Sequence, residues 1–127
     1  MEARASIRNV PIAPRKARLV ANLVSSQYVE EALNQLVFTH KAASPVIRKL
    51  IQSAVANARY HSQSQGTTID EGTTIDESNL FVKKIVVNDG VTRRWFRPRA
   101  RGMANRILRR RCHIMVVLDE EREDNGY

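Results

Sequence analysis

The spacing of hydrophobic positions along this chain changes period several times, and each change marks an element. Residues 3–10, ARASIRNV, alternate well enough for a short strand, and Pro11 and Pro14 punctuate the residues after it. Pro14 suits the first position of a helix, where its missing N–H costs nothing. From there RKARLVANLVSS places Val20, Leu23 and Val24 on one face and Arg15, Arg18 and Asn22 largely on the other, which predicts an amphipathic helix with a basic outer side. A second, shorter helix is predicted over EEALNQLVF (30–38). Leu33, Leu36 and Val37 would point inward there, and Glu30 and Glu31 would occupy the first turn, where the helix dipole favours negative charge.

The longest helix should start near Ser44-Pro45 and run through VIRKLIQSAVANARY. Val46, Leu50, Ala54 and Ala58 fall at steps of four, with Ile47, Ile51 and Val55 as the adjoining ridge, so the apolar stripe is wide and this is the core helix. Small residues at 54, 56 and 58 would let another element approach closely, while Arg48, Lys49 and Arg59 stay outside. Between residues 62 and 79 the periodicity stops. GTTIDEGTTIDES is a tandem copy of six residues, 66–71 repeated as 72–77, and two copies are too few to stack into a core. The stretch reads as an enlarged surface loop without chemistry.

Two apolar runs remain, NLFVKKIVVNDG and RCHIMVVLDE. Their β-branched content and length indicate strands, and their near-continuous apolar character indicates partial cover on both faces. Paired antiparallel, they turn everything from about Asp89 to Arg111 into one long hairpin, whose arms at about 3.3 Å per residue extend on the order of 30 to 40 Å. The pattern therefore predicts an α+β fold, a small antiparallel sheet packed on three helices with a long projecting β-hairpin over about 84–117. A length of 127 residues suits one domain, with 119–127 as an acidic C-terminal tail.

Charge then says what such a hairpin touches. Against 13 acidic residues stand 21 basic ones, a net charge of +8, which argues for a polyanionic partner. Membrane is the weaker candidate: no apolar run approaches the roughly 18 residues of a spanning helix, and residues 1–8 carry Glu2, Arg4 and Arg8 in place of a signal-peptide core. Nor does any predicted helix set bulky aromatics opposite a basic face. The single cysteine, Cys112, cannot form an intrachain disulfide, which points to a reducing compartment.

The segment TRRWFRPRARGMANRILRRR, residues 92–111, holds nine arginines, the only Trp and no carboxylate. Its apolar residues are too sparse to attach both faces to a core, and an isolated two-stranded ribbon is marginal in water. Phosphate reverses both objections. Each guanidinium can fork onto phosphate oxygens, and the planar groups with Trp95 and Phe96 can stack on exposed bases. A disordered basic tail would not need IMVVL to return the chain to the domain. DNA remains the rival, since DNA-bending proteins also use arginine-bearing ribbons with a Pro near the tip, as Pro98 would be. Basic residues on the first helix and in VKK spread the charge over several elements, which suits folded RNA.

In PRKARLVANLV (14–24), SAVANARYH (53–61), LFVKKIVVNDG (80–90) and above all RPRARGMANRILRRRCHI (97–114), the chain resembles the bacterial-type large-subunit ribosomal proteins of the L-twenty-two family. The resemblance covers nearly all of residues 3–118. It implies a structural protein of the large subunit that binds large-subunit ribosomal RNA, supports assembly beside neighbouring ribosomal proteins, and lends its hairpin to the wall of the tunnel through which the nascent polypeptide leaves. It implies RNA contacts by Arg15, Lys16 and Arg18 from the first helix and by Lys83 and Lys84 at the hairpin base. Arg93, Arg94, Arg97, Arg99, Arg101 and Arg106 would hold the extension within RNA, and Arg109, Arg110 and Arg111 the returning arm. The tunnel-facing tip would comprise Arg94, Trp95, Phe96, Arg97, Pro98, Arg99, Ala100, Arg101, Gly102 and Met103. Its place would be the ribosome, in the cytoplasm or in an organelle.

Departures from the family's pattern accompany the match. Ala13 stands where Ser or Thr usually caps the first helix, an expected loss of about 1 kcal/mol. Met103 and Asn105 replace residues that are often basic and acidic. The duplicated loop and the acidic end look like additions, and their carboxylates belong on the side away from phosphate.

Catalysis has no support in the sequence. His40, His61 and His113 are dispersed, with no i, i+4 pair and no second cysteine for zinc. Cys112 and His113, adjacent on a strand, would face opposite sides, poor geometry for a thiolate–imidazole pair. No phosphate-binding glycine loop occurs, and Gly90 and Gly102 read as turn residues. The carboxylates Asp70, Glu71, Asp76 and Glu77 lie in the duplication, where no metal-dependent nuclease site is expected. No cofactor and no small-molecule substrate is expected.

Overall fold

A computed structural model describes residues 2–65 and 79–120, with side chains placed for 2–60 and 79–120. Its elements follow one another as β1 (Glu2–Val10), α1 (Pro14–Val24), α2 (Val29–Phe38), α3 (Ala43–Gln65), β2 (Leu80–Asp89), β3 (Arg93–Pro98), β4 (Ala104–Arg109) and β5 (Cys112–Glu120). The expected α+β class is what forms. Strands β1, β5 and β2 make one antiparallel sheet in that order, and β3 pairs with β4 in a second, two-stranded sheet.

The last strand in sequence is the middle strand in space, which explains its composition. Cys112, Ile114, Val116 and Leu118 alternate onto the core face of β5 and are fully buried, and Val117 on the other face is buried as well. Helices cover the sheet from the core side: α3 lies on β1 and β5, α1 on β2, and α2 packs on α3. The wide stripe of α3 is used as its periodicity requires, with Ile47, Leu50, Ile51, Ala54, Val55 and Ala58 buried and Val46 packed at the margin. Alanines on both partners, Ala54 and Ala58 on the helix and Ala3 and Ala5 on the strand, bring α3 close to β1. Asn57 Nδ2 there donates to the Arg4 carbonyl at 2.8 Å. Ala56, expected to share that approach, is exposed.

The two shorter helices bury narrower faces than their leucines suggest. On α1 the inward positions are Pro14, Ala17, Val20, Ala21 and Val24, and Leu23, expected inside, is 45% exposed. Alanine lets α1 lie near β2, which leaves no depth for a leucine on the flank of the stripe. Helix α2 begins one residue earlier than its acidic turn implied, at Val29, and buries Val29, Ala32 and Leu36. Val37 therefore rotates outward, to 52% exposed, and Leu33 is partly buried. Neither α1 nor α2 has a side-chain N-cap; at α1 the residue in that position is Ala13, as its sequence anticipated.

The edges of the sheet are interrupted. Along β1 the register shifts between Ile7 and Val10, where Asn9 has φ +58° and its N–H donates to His113 Nδ1 at 3.1 Å. That bond gives His113 a structural partner on the face opposite Cys112. Along β2 the register shifts between Val82 and Lys84. Beside that bulge the Ser26 N–H donates to the Val82 carbonyl at 3.0 Å, and the Val82 N–H to the Gln27 carbonyl at 2.8 Å, so the α1–α2 connection covers part of an otherwise open edge. The GTTIDE duplication lies outside the described residues. Of the acidic end, Asp119 and Glu120 close β5 opposite Glu2 and Leu80, and the remainder lies outside the described residues.

Because Ile114 sits in the middle of the core on a strand bonded along both edges, Ile114→Ala is expected to lower unfolding free energy by about 2–5 kcal/mol. Leu19→Ala, at a position 64% exposed, should change it by no more than about 0.5 kcal/mol. Urea midpoints at unchanged slope would measure both. Burial also pushes the Cys112 thiol above its ordinary pKa, so the native protein should resist thiol alkylation that the urea-unfolded chain undergoes readily.

Candidate nucleic-acid interface

Strands β2 and β5 continue past the core. Their last pair is Asp89 with Cys112, after which the Gly90 N–H donates to the Arg111 carbonyl at 2.8 Å, and β3 and β4 resume the pairing at Arg93 and Arg109. Gly90 was expected to be a turn residue, and it is not one. It lies at the root of the hairpin, where a Cβ would stand 3.0 Å from the Arg111 carbonyl oxygen and 3.1 Å from its carbon. Any side chain there would need the Arg111 backbone to give by a few tenths of an ångström, so glycine lets the two arms approach most closely.

A second contact braces the same root from α1. Arg18 Nε and Nη2 donate to the Val87 carbonyl at 3.3 and 3.0 Å, and Nη2 lies 3.6 Å from Asp89 Oδ1. Arg18, expected to face RNA, is thus tied to its own chain. Lys83, also expected to face RNA, hydrogen-bonds Glu2, whose other carboxylate oxygen lies 3.5 Å from Arg4 Nη2. Arg15, Lys16 and Lys84 are exposed, with no hydrogen-bond or ion-pair partner among the described residues.

Beyond the root the cross-strand partners are Arg93 with Arg109, Arg94 with Leu108, Trp95 with Ile107, Phe96 with Arg106, Arg97 with Asn105 and Pro98 with Ala104. Pairs opposite one another share a face. One face therefore carries Arg93, Trp95, Arg97 and Arg109, and the other Arg94, Phe96 and Arg106. Every residue from Arg93 to Arg106 is exposed, Trp95 at 58% and Phe96 at 70%. None of the nine arginines of the segment has a hydrogen-bond or ion-pair partner for its side chain among the described residues. At the tip the Arg99 N–H donates to the Met103 carbonyl at 2.6 Å, around Arg101 at φ +63° and Gly102 at φ +70°. Gly102 is the turn residue its sequence suggested. Arg101 holds a left-handed conformation in which glycine costs less, so a cation stands there at the expense of backbone strain.

Arginines placed this way have one evident capacity, multidentate binding of a polyanion. The chain matches the family model described as Ribosomal protein L22p/L17e over residues 5–119. The protein belongs to this ribosomal family. It is 46% identical over 118 residues to large ribosomal subunit protein uL22 of Lactobacillus delbrueckii subsp. bulgaricus, covering 93% of this chain and 92% of that relative. To the uL22 proteins of Lactobacillus helveticus and Lactobacillus gasseri it is 43% identical over 121 residues, covering 95% of this chain and 94% of each of theirs. As a member of the family it is a structural, non-enzymatic ribosomal protein.

Sequence reasoning missed how the hairpin of this L22p/L17e chain meets its body. Pro11, Ile12 and Ala13 from the β1–α1 turn, Lys16 of α1 and Ala42 before α3 line a cleft together with Arg93, Trp95, Leu108, Arg109, Arg110 and Arg111. No local signal marks Ile12 or Ala42 for that role, because it exists only once the hairpin root stands beside the β1–α1 turn.

The hairpin root yields one expectation and the pair of Glu2 and Lys83, at the far end of the sheet, another. Gly90→Ala must push the Arg111 backbone aside, and amide hydrogen exchange of residues 91–111 should accelerate while exchange in β1 and α3 stays as it was. The Glu2 carboxyl is held below its ordinary pKa of 4.5, chiefly by its hydrogen bond to Lys83. Its stabilising effect is present above that ordinary value and is lost as pH falls through the lowered one. Lys83 is raised above 10.5 by the same bond, so its part is present below 10.5 and lost as pH rises through the raised value. Both groups are exposed and the effect is small. Glu2→Gln should slightly flatten stability against pH on the acid side, read from urea midpoints between about pH 5 and 2.

Proposed function

We propose that this protein is a structural component of the large ribosomal subunit. In this reading it binds large-subunit ribosomal RNA through α1 and the hairpin, supports subunit assembly, and contributes residues 94–103 to the wall of the nascent-peptide exit tunnel. Its partners are then that RNA, neighbouring large-subunit proteins and the polypeptide passing the tip, and its place is the cytoplasmic ribosome. No helix among the described residues is long and apolar enough to cross a membrane.

The observation that carries this reading is the ribbon itself. Nine cations, five on the two strands, two at the tip and two at the root, occupy the hairpin with no carboxylate between Gly90 and Leu118. Among the described residues no side chain pairs with these arginines, and RNA phosphates would supply the counter-charge at the spacing of a backbone. Neutralisation would let RNA segments that repel one another close around the ribbon. Arg15 and Lys16 on α1 would extend that charge onto the body, Lys84 would add a cation on β2, and Arg18 and Lys83 hold the scaffold and reach RNA only at its margin. The likeness to large-subunit proteins along almost the whole chain supports the assignment to that subunit.

Reversing charge at the tip tests this without touching the core. Arg99→Glu together with Arg101→Glu is expected to reduce incorporation of the tagged chain into particles sedimenting as large subunits, with the urea midpoint of the isolated protein unchanged. Normal incorporation would contradict the embedded hairpin. A photoreactive residue at Phe96 should crosslink to a few large-subunit RNA positions. Crosslinks scattered over DNA would make the ribbon a general nucleic-acid binder instead.

A further inference from the structure

Besides the outward faces of the ribbon, the structure has an inward corner. Where β3 and β4 leave the body they stand beside the β1–α1 turn and border an open cleft of about 560 Å³, within the range of about 300–1,000 Å³ typical of small-molecule sites. Its walls differ in chemistry. Lys16 faces Arg93, Arg109, Arg110 and Arg111, five cations with no acidic residue in the lining and no ion-pair partner among the described residues. Pro11, Ile12, Ala13 and Trp95 supply the apolar surface.

We infer that this cleft binds one unstacked RNA nucleotide, with its base on the Trp95 ring and its flanking phosphates between Lys16 and the arginines of the hairpin root. The inference rests on the ribosomal-RNA reading above and deepens it. Charge alone would suit any phosphate, but an indole exposed beside apolar walls also offers a face on which a flat partner can stack. Within a duplex each base face is already covered by its neighbours, whereas a splayed nucleotide presents a free π face together with its phosphates. Trp95, Arg93 and Arg109 share one face of the ribbon, so the pairing register itself brings ring and guanidinium groups to the same side. Lys16 completes the corner from α1, on the exposed side of that helix.

Trp95 is the only tryptophan in the chain, so its emission reports on this cleft alone. The probe is adenosine 3′,5′-bisphosphate, a single nucleotide carrying both flanking phosphates, titrated into the full-length protein. Saturable quenching is expected, and inorganic pyrophosphate, which has the charge without the base, should displace the probe only at about 5- to 150-fold higher concentration, the worth of one base stacked on an aromatic ring. Lys16→Ala and Arg109→Ala should each weaken binding roughly threefold or more through loss of a charge-assisted contact. Lys49→Ala, on a remote face of α3, should not. Unchanged emission, displacement by pyrophosphate at equal concentration, or indifference to Lys16→Ala would each overturn the cleft. The same preparations, mixed with a transcript of large-subunit ribosomal RNA and assayed by filter retention, separate the two readings. Retention without quenching removes the cleft alone, and absence of retention removes the RNA-binding reading with it.

Discussion

The pairing of β2 with β5 is the interaction on which the rest of the structure depends, because the same two strands first close the core and then leave it. Within the body β5 is bonded on both edges and buries Cys112, Ile114, Val116 and Leu118 under the helices. Past Asp89 and Cys112 the support of the core ends, and the chain carries on as a ribbon whose side chains are nearly all exposed. Such a ribbon has little to hold it except register inherited from its base. The close approach at Gly90 and the clamp of Arg18 on Val87 and Asp89 sit at that transition, where an error in angle would be multiplied along the arms.

The charge of the protein belongs to the ribbon and not to the body. The chain carries +8, and the nine arginines of residues 92–111 contribute +9 with no carboxylate among them, so the remaining residues sum to −1. A near-neutral body can fold without self-repulsion, while the repulsion is confined to an element whose partner removes it. Arginine serves here better than lysine would, since its planar fork bonds phosphate bidentately and its flat face stacks.

Much of this is legible in the sequence wherever pattern and geometry share a period. The stripe of α3, the two β-branched runs and the arginine segment between them define the helix, the central strand and the hairpin directly. Leu23 and Val37 mislead because a hydrophobic residue flanking a stripe is inside or outside according to how closely the helix lies on its sheet, and alanines at 17, 21 and 32 set that distance. Gly90 misleads for a similar reason. Glycine marks both a turn and a close backbone approach, and only the opposing Arg111 carbonyl distinguishes them. Arg18 and Lys83 look like their basic neighbours in sequence, and it takes Asp89, the Val87 carbonyl and Glu2 to assign them to the scaffold.

Those two residues show how one surface can be basic for two purposes. A cation satisfied by its own chain fixes geometry whether or not a ligand is present, whereas a cation without a partner gains most from a ligand that brings the missing charge. Arg18 and Lys83 belong to the first kind, and Lys16, with the arginines beyond Gly90, to the second. Arg18 braces the hairpin root, whereas Lys83 and Glu2 tie the far end of the sheet, beside Leu118 and Asp119. In the proposed RNA-binding role, the cations left without partners among the described residues are the ones phosphate would satisfy.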